Sequence, residues 1–321
     1  MEPATPLGQD GPPDRGEWKR AAGFFAFLLA FSTVSPMVLV GLPFVFLVLL
    51  LPIRRLGALG LAAMVLILTM GGSPASGLWY AERGWSLLLG GWFVALTLRW
   101  PGRTFASRAM GAAFGSIATA ALFFAARPMA WAVLDWRIGV RIRQGVATAL
   151  QTIQAVQGGD ALSSTLADAV YSTAESQAVL FPALMGLASI AALGVAWWMY
   201  VRVAQGTKGA LGPLKDFRFN DHLVWLFVAG LMALIVGTEG LWTRVGSNAV
   251  LFMGALYALR GAAVVLFVNG GISALGVVAV TLGMIFLAPA LIFGALVIGL
   301  GDTWLDIRTR AARAADAGRR T

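Results

Sequence analysis

The chain is expected to be all-α: a polytopic integral membrane bundle of about ten (8–10) spanning helices, with both termini on the inner side. Three observations predict this class. The 321 residues are 59% hydrophobic and only 12% charged, with a mean hydropathy of +0.79. The apolar runs are rich in Leu, Ala and Gly without strand-like alternation, which favours helices over a barrel. The 24 Lys and Arg residues fall largely at every second break between those runs, the pattern left when basic loops are retained in the cytoplasm.

The formal charge of +9 is therefore assigned to topology and anionic headgroups, and nucleic acid is not an implied partner. The absence of cysteine excludes disulfides, thiolate metal sites and thiol nucleophiles. His222 is the single histidine, so a multi-histidine metal cluster is excluded and a serine–histidine triad lacks support. The glycines lie inside apolar runs without a following Lys-Ser/Thr, which removes a phosphate-binding loop. No cofactor, metal or enzymatic nucleophile–base pair is implied.

Residues 1–20 carry prolines and four acids (Glu2, Asp10, Asp14, Glu17) and no apolar core, so they are expected to form a disordered cytoplasmic tail. The apolar run that follows lacks a small-residue cleavage site and is expected to be a retained helix. That run, 21–53, exceeds the roughly 20 residues of one crossing. It is interrupted by Ser35-Pro36 and Gly41-Leu42-Pro43, which predict a hairpin of two short segments. Arg54-Arg55 marks an inner turn, 56–71 leads out, 73–84 is an outer loop and 85–98 returns. Arg99, Arg103 and Arg108 mark the next inner turn, and 105–126 leads out, completing an N-terminal membrane part over 21–126.

Residues 127–178 differ in character. Arg127, Arg137, Arg141 and Arg143 are balanced by Asp135, Asp160, Asp168 and Glu175. Trp131, Leu134, Ile138 and Ile142, then Ala147, Leu150, Ile153 and Val156, recur at helical spacing. This predicts an amphipathic helical hairpin on the outer side, broken at Gly158-Gly159-Asp160.

A second membrane part is expected over 179–300. Its first segment, 179–201, ends at interfacial Trp197, Trp198 and Tyr200. Arg202, Lys208, Lys215 and Arg218 lie on the longest inner loop. Residues 222–236 exit, 239–247 turn and 248–268 re-enter. The run 272–300 again exceeds one crossing and is interrupted at Ala288-Pro289. One helix would strand the arginines of the basic tail, 301–321, outside. Two short segments bring that tail inside, and the split is the expectation.

Arg260 sits mid-segment, where insertion of a charge costs about 2.5–3.5 kcal/mol. Either it contacts an anionic ligand, or it snorkels or pairs with Glu239 or another acid. Glu239 and Arg244 flank an outer turn beside Trp242 as a solvated pair, with Glu239 a second candidate ligand contact. His222 follows Asn220-Asp221, whose side chains suit a helix start. Ala22, Ala26 and Ala30, spaced four apart, form a smooth stripe suited to docking another helix, and Gly111 and Gly115 form a similar patch. At the end of the last segment Asp302 is expected to cap the exiting helix, Trp304 to sit at the interface, and Asp306 to pair with Arg310.

Gly41-Leu42-Pro43-Phe44, Phe181-Pro182, Phe217-Arg218-Phe219 before Trp225, and the terminal run from Gly301 through Asp302, Trp304, Asp306 and Arg308 recur together. In this layout, over roughly residues 20–310, the chain resembles the YybS-like family of predicted bacterial membrane proteins. That family is distantly similar to the S components of energy-coupling-factor transporters. The resemblance implies the bacterial cytoplasmic membrane, a cytoplasmic N-terminus and a docking stripe on the first helix, to which Ala22, Ala26 and Ala30 correspond. Two functions are expected: uptake or binding of a small molecule, as the resemblance implies, or a non-catalytic subunit whose outer hairpin or inner loop, 202–222, docks onto a larger membrane complex. The partners implied are lipid, possible small-molecule ligands, and other membrane subunits met through the first helix or the outer hairpin.

Overall fold

The computed structural model of the chain describes residues 37–51, 56–71, 77–156, 164–205, 211–237 and 240–318. Among these the fold is all-α, in ten helices with no strand. Four stretches are long and apolar enough to cross a membrane: Phe105–Ala126, Asp168–Val203, Leu241–Val268 and Ala274–Leu305. Three more apolar helices are shorter, Val38–Leu50, Gly57–Met70 and Asp221–Val236. The chain divides into two compact units, one containing residues up to 99 with 192–210, the other 100–191 with 211–321.

The first unit is built on α1 (Met37–Leu50), α2 (Leu56–Met70) and α3 (Leu78–Arg99). Phe44, Leu47, Val48, Val65, Leu89 and Phe93 form its solvent-free core with Ala196 and Met199. The break expected at Gly41-Leu42-Pro43 does not occur, because Pro43 lies inside α1. Those residues serve packing. A Cβ on Gly41 would lie 2.9 Å from Val65 Cγ1, and one on Gly90 of α3 would lie 3.3 Å from Pro43 Cα. Ser35-Pro36 lies outside the described residues.

Residues 78–84, expected in an outer loop, form the first turns of α3. Arg83, in these turns, closes the end of α2. Its guanidinium donates to the carbonyl oxygens of Thr69 and Gly71 at the end of α2, the latter at 2.6 Å, and stacks 3.9 Å from the Trp79 ring centroid. A cation on the last free carbonyls of a helix is the favourable end of the helix dipole.

The second unit holds α4 (Phe105–Ala126), α5 (Pro128–Val156), most of α6 (Ser164–Tyr200), α7 (Val224–Val236), α8 (Leu241–Val268), α9 (Ala274–Leu305) and α10 (Ile307–Gly318). Thr104 caps α4 by accepting from the Ser107 N–H at 3.3 Å, and Pro128 opens α5 where its missing N–H is harmless. The border expected at residue 178 falls inside α6, which is one helix of 37 residues. Gly158-Gly159-Asp160 lies outside the described residues.

α7 and α8 pair antiparallel, and α9 packs along the second half of α8. This last contact requires two glycines. A Cβ at Gly261 would collide with the Ala295 carbonyl oxygen, and one at Gly299 with that of Tyr257. Replacing Gly299 by leucine is therefore expected to pry the helices apart and cost about 1–3 kcal/mol, read as a lowered melting temperature in detergent.

α9 starts at a Ser273 cap, whose hydroxyl accepts from the Gly276 N–H at 3.1 Å. It is broken at Leu287 (φ −129°, ψ 24°), two residues before Pro289. A proline ring crowds the carbonyl four residues back and expels the preceding residue from helical geometry. The break is sharp: Leu291 Cδ1 comes within 2.9 Å of where a Gly283 Cβ would sit, although eight helical residues span about 12 Å. The limbs therefore fold toward each other. α9 ends at Asp306 in the left-handed region (φ 44°, ψ 54°), which redirects the chain into α10.

Candidate functional site

The densest charge cluster joins α8, the end of α9, the start of α10 and the loop 211–223. Its parts come from ordinary local rules. Asn220 Oδ1 accepts from the His222 N–H at 3.0 Å and caps the short turn Asp221–Leu223, which presents Asp221. The left-handed turn at Asp306 brings Arg308 back onto Asp302.

Arg260 is buried, and its Nε donates to Asp302 Oδ2 at 3.0 Å while Nη1 donates to Asp221 Oδ1 at 2.5 Å. Arg308 Nη2 donates to the same Asp302 oxygen at 3.2 Å and to the Phe217 carbonyl at 3.0 Å. Its Nη1 donates to the Lys215 carbonyl at 3.1 Å. Two cations thus meet two carboxylates, so the cluster is neutral as a set. It is also graded: Asp302 is wholly buried, whereas the Asp221 side chain is 61% exposed.

Aromatic rings close the buried side. Phe219 and Phe227 stand 5.1 and 6.1 Å from Tyr257 between ring centroids, and Arg260 Cζ lies 5.5 Å from the Phe219 ring. The low dielectric they impose strengthens each ion pair and raises the cost of leaving one unpaired. At the exposed rim Arg218 pairs with Asp306 at 2.7 Å.

Burial lowers the Arg308 guanidinium from its ordinary value, against the opposing pull of Asp302. The Thr309 hydroxyl first, then Arg218, hold the Asp306 carboxyl below the usual carboxylate range. A carboxyl whose pKa falls on folding adds stability above its unfolded pKa and loses it as pH falls through the folded one. The rim pair is accordingly expected to persist at neutral pH and to open only as the pH falls below the usual carboxylate range. A fluorophore on the tail would report that opening. Because the pair is exposed, Arg218→Ala is expected to leave the melting temperature nearly unchanged.

Residues 22–303 match the family model described as Predicted membrane protein (DUF2232). The chain belongs to this family of predicted membrane proteins. No curated protein and no solved structure matches it. In this DUF2232 protein Asp221, Arg260 and Asp302 fall within the matched residues, while Asp306 and Arg308 follow them.

Of the residues singled out in the sequence, the structure unites Arg260, Asp302 and Arg308 in one cluster and puts Asp306 at its rim. Contrary to the expectation, the Asp302 side chain does not cap the exiting helix; it is the shared acceptor of two arginines. Asp306 turns its side chain to Arg218, and the Arg310 N–H meets only its backbone carbonyl, at 3.2 Å. Trp304 is exposed and outside the cluster, as is His222. Glu239 and the stripe of Ala22, Ala26 and Ala30 lie outside the described residues.

Arg244 reaches beyond its own turn. It forms a two-pronged bond with Asp135 of α5, with Nη1 donating at 2.9 Å, over the Trp131 ring. Beside it, Asn248 repairs α6. Pro182, inside α6, has no N–H to donate to the carbonyl four residues back. Asn248 Oδ1 accepts the Ala183 N–H at 2.8 Å, its Nδ2 donates to the Val179 carbonyl at 2.9 Å, and Arg244 Nη2 reaches the Ala178 carbonyl at 3.5 Å. Three backbone groups at the proline thus find side-chain partners on α8.

Among the described residues no group of three or more His, Cys, Asp and Glu is placed to hold a metal.

Proposed function

We propose that the protein is a non-catalytic subunit of a larger assembly in the bacterial cytoplasmic membrane, and that it docks through its loop 211–223 and α10. The observation that carries this reading is the commitment of Arg260 and Arg308. Both are spent on carboxylates and loop carbonyls of the same chain. What they build is a fixed loop-and-tail face with Lys215, Arg218, Arg310 and Arg313 on its exposed side. A rigid basic face of this kind steers and orients an acidic partner surface.

Small-molecule uptake of the S-component kind is the other reading. It drew on the Ala22–Ala26–Ala30 stripe and Glu239, which lie outside the described residues, and on Arg260, which already holds two acids. In this account the loop and the tail are reached from the same side of the membrane. The contacts of Arg308 with Lys215 and Phe217 support that topology.

Arg310→Glu combined with Arg313→Glu tests the docking. Both side chains are exposed, so the fold is expected to survive. Native mass spectrometry of the protein extracted from its own membrane should then show a complex for the natural chain and the single chain for the variant. A single chain in both, or the same complex in both, would sink the reading.

A further inference from the structure

The second unit carries two apolar regions on either side of the charge cluster. α7 lies along the first half of α8: Gly230 meets Ala249 and Val250, Gly237 meets Trp242 and Thr243, and Gly246 meets Gly230 and Leu234. The second limb of α9 lies along the other half, with Gly299 against Tyr257 and Gly261 against Ala295. Both pairings are antiparallel, so α7 begins, and α9 ends, near the middle of α8. The cluster sits where those two ends meet.

No charged residue occurs from 261 to 301. Within the lobe made by the last turns of α8 and both limbs of α9, the first limb is exposed around nearly its whole girth. On the first limb Leu275, Val278, Leu282 and Ile285 expose one side while Val277, Val280 and Met284 expose another. A protein partner laid on one face would leave the other bare, whereas fluid hydrocarbon covers both. α8 has 28 residues, about 42 Å of helix, which matches the roughly 40–45 Å of a bilayer with its headgroup regions. α7, at 13 residues, reaches only about 20 Å.

We propose that this lobe is clad in lipid hydrocarbon, so that one bilayer covers the whole of α8. The Arg260–Asp302 cluster then lies within the membrane's thickness, and water reaches it from the side of loop 211–223. α7 and the second limb of α9 are half-spanning helices laid end to end along a full-length one. The neutral pairing of the cluster and the exposure of Asp221 suit such a place: the buried charges are matched, and the outermost one is wet. Discontinuous helices at mid-depth are tolerated where their ends line a watered cavity.

The proposal does not depend on docking by the loop and tail. The chain has no cysteine, so single cysteines carry nitroxide labels without interference. Labels at Leu275→Cys, Phe286→Cys and Phe293→Cys, in vesicles of the protein with bacterial lipids, are expected to collide with oxygen several-fold more than with a water-soluble nickel chelate. A label at Asp216→Cys is expected to favour the chelate several-fold. Free access of the chelate to the three lobe positions would put the lobe in water and overturn the proposal. Exclusion of both reagents there would mean a protein covering, such as a second copy, and would also overturn it. Exclusion of the chelate at Asp216 would remove the watered side of the cluster.

Discussion

Replacing Arg260 by leucine is expected to destabilise the protein by about 3–5 kcal/mol, the cost of leaving a buried carboxylate without its partner. Asp302 is that carboxylate, wholly buried and bonded to Arg260 through Nε. Arg308 remains on the same oxygen at 3.2 Å, which sets the loss toward the lower end. Removing the charge as well, in Arg260→Leu with Asp302→Asn, should recover much of it, because the penalty belongs to the unpaired ion more than to the lost bond. Thermal unfolding in detergent of the two single variants and the double variant measures this directly. A double variant as unstable as the sum of the singles would mean that the two side chains act separately. Arg260→Lys should recover little, since an ammonium lacks the fork that reaches Asp302 and Asp221 from different nitrogens.

The second large effect is expected at Asn248. Asn248→Ala leaves the Ala183 N–H and Val179 carbonyl without the side chain that bonds them, at about 0.5–1.5 kcal/mol for each lost hydrogen bond. The need exists because of Pro182. In a Pro182→Ala background α6 can close its own backbone bonds, so Asn248→Ala should cost much less there. The coupling between the two sites is therefore predicted to be large, and a double-mutant cycle on melting behaviour reads it. Additive effects would show that Asn248 serves some purpose unrelated to the proline.

The helical class was legible because composition and the spacing of basic breaks act over the whole chain. The kink near Pro289 was legible because a proline states its own constraint. Arg260 stood out as a charge within an apolar run, but its partners did not. Asp221 is 39 residues away and Asp302 is 42, and each had a local explanation as a helix cap. Local rules also misplaced Gly41-Leu42-Pro43, where tertiary packing against Val65 and Gly90 keeps the helix whole. Asn248 carried no signal at all: its role depends on a proline 66 positions earlier, brought near only by the fold. Arg83 falls in the stretch 73–84 read as an outer loop, yet it closes the end of the preceding helix.

The Arg260–Asp302–Asp221–Arg308 cluster pins the loop and the tail to the α8–α9 pair. Spin labels at Asp216→Cys and Arg310→Cys, both exposed, give the loop-to-tail distance by pulsed electron resonance. The natural cluster should give one narrow distance distribution, and Arg260→Leu should broaden it while the protein stays folded. A broad distribution with the cluster intact, or a narrow one unchanged by Arg260→Leu, would contradict the claim.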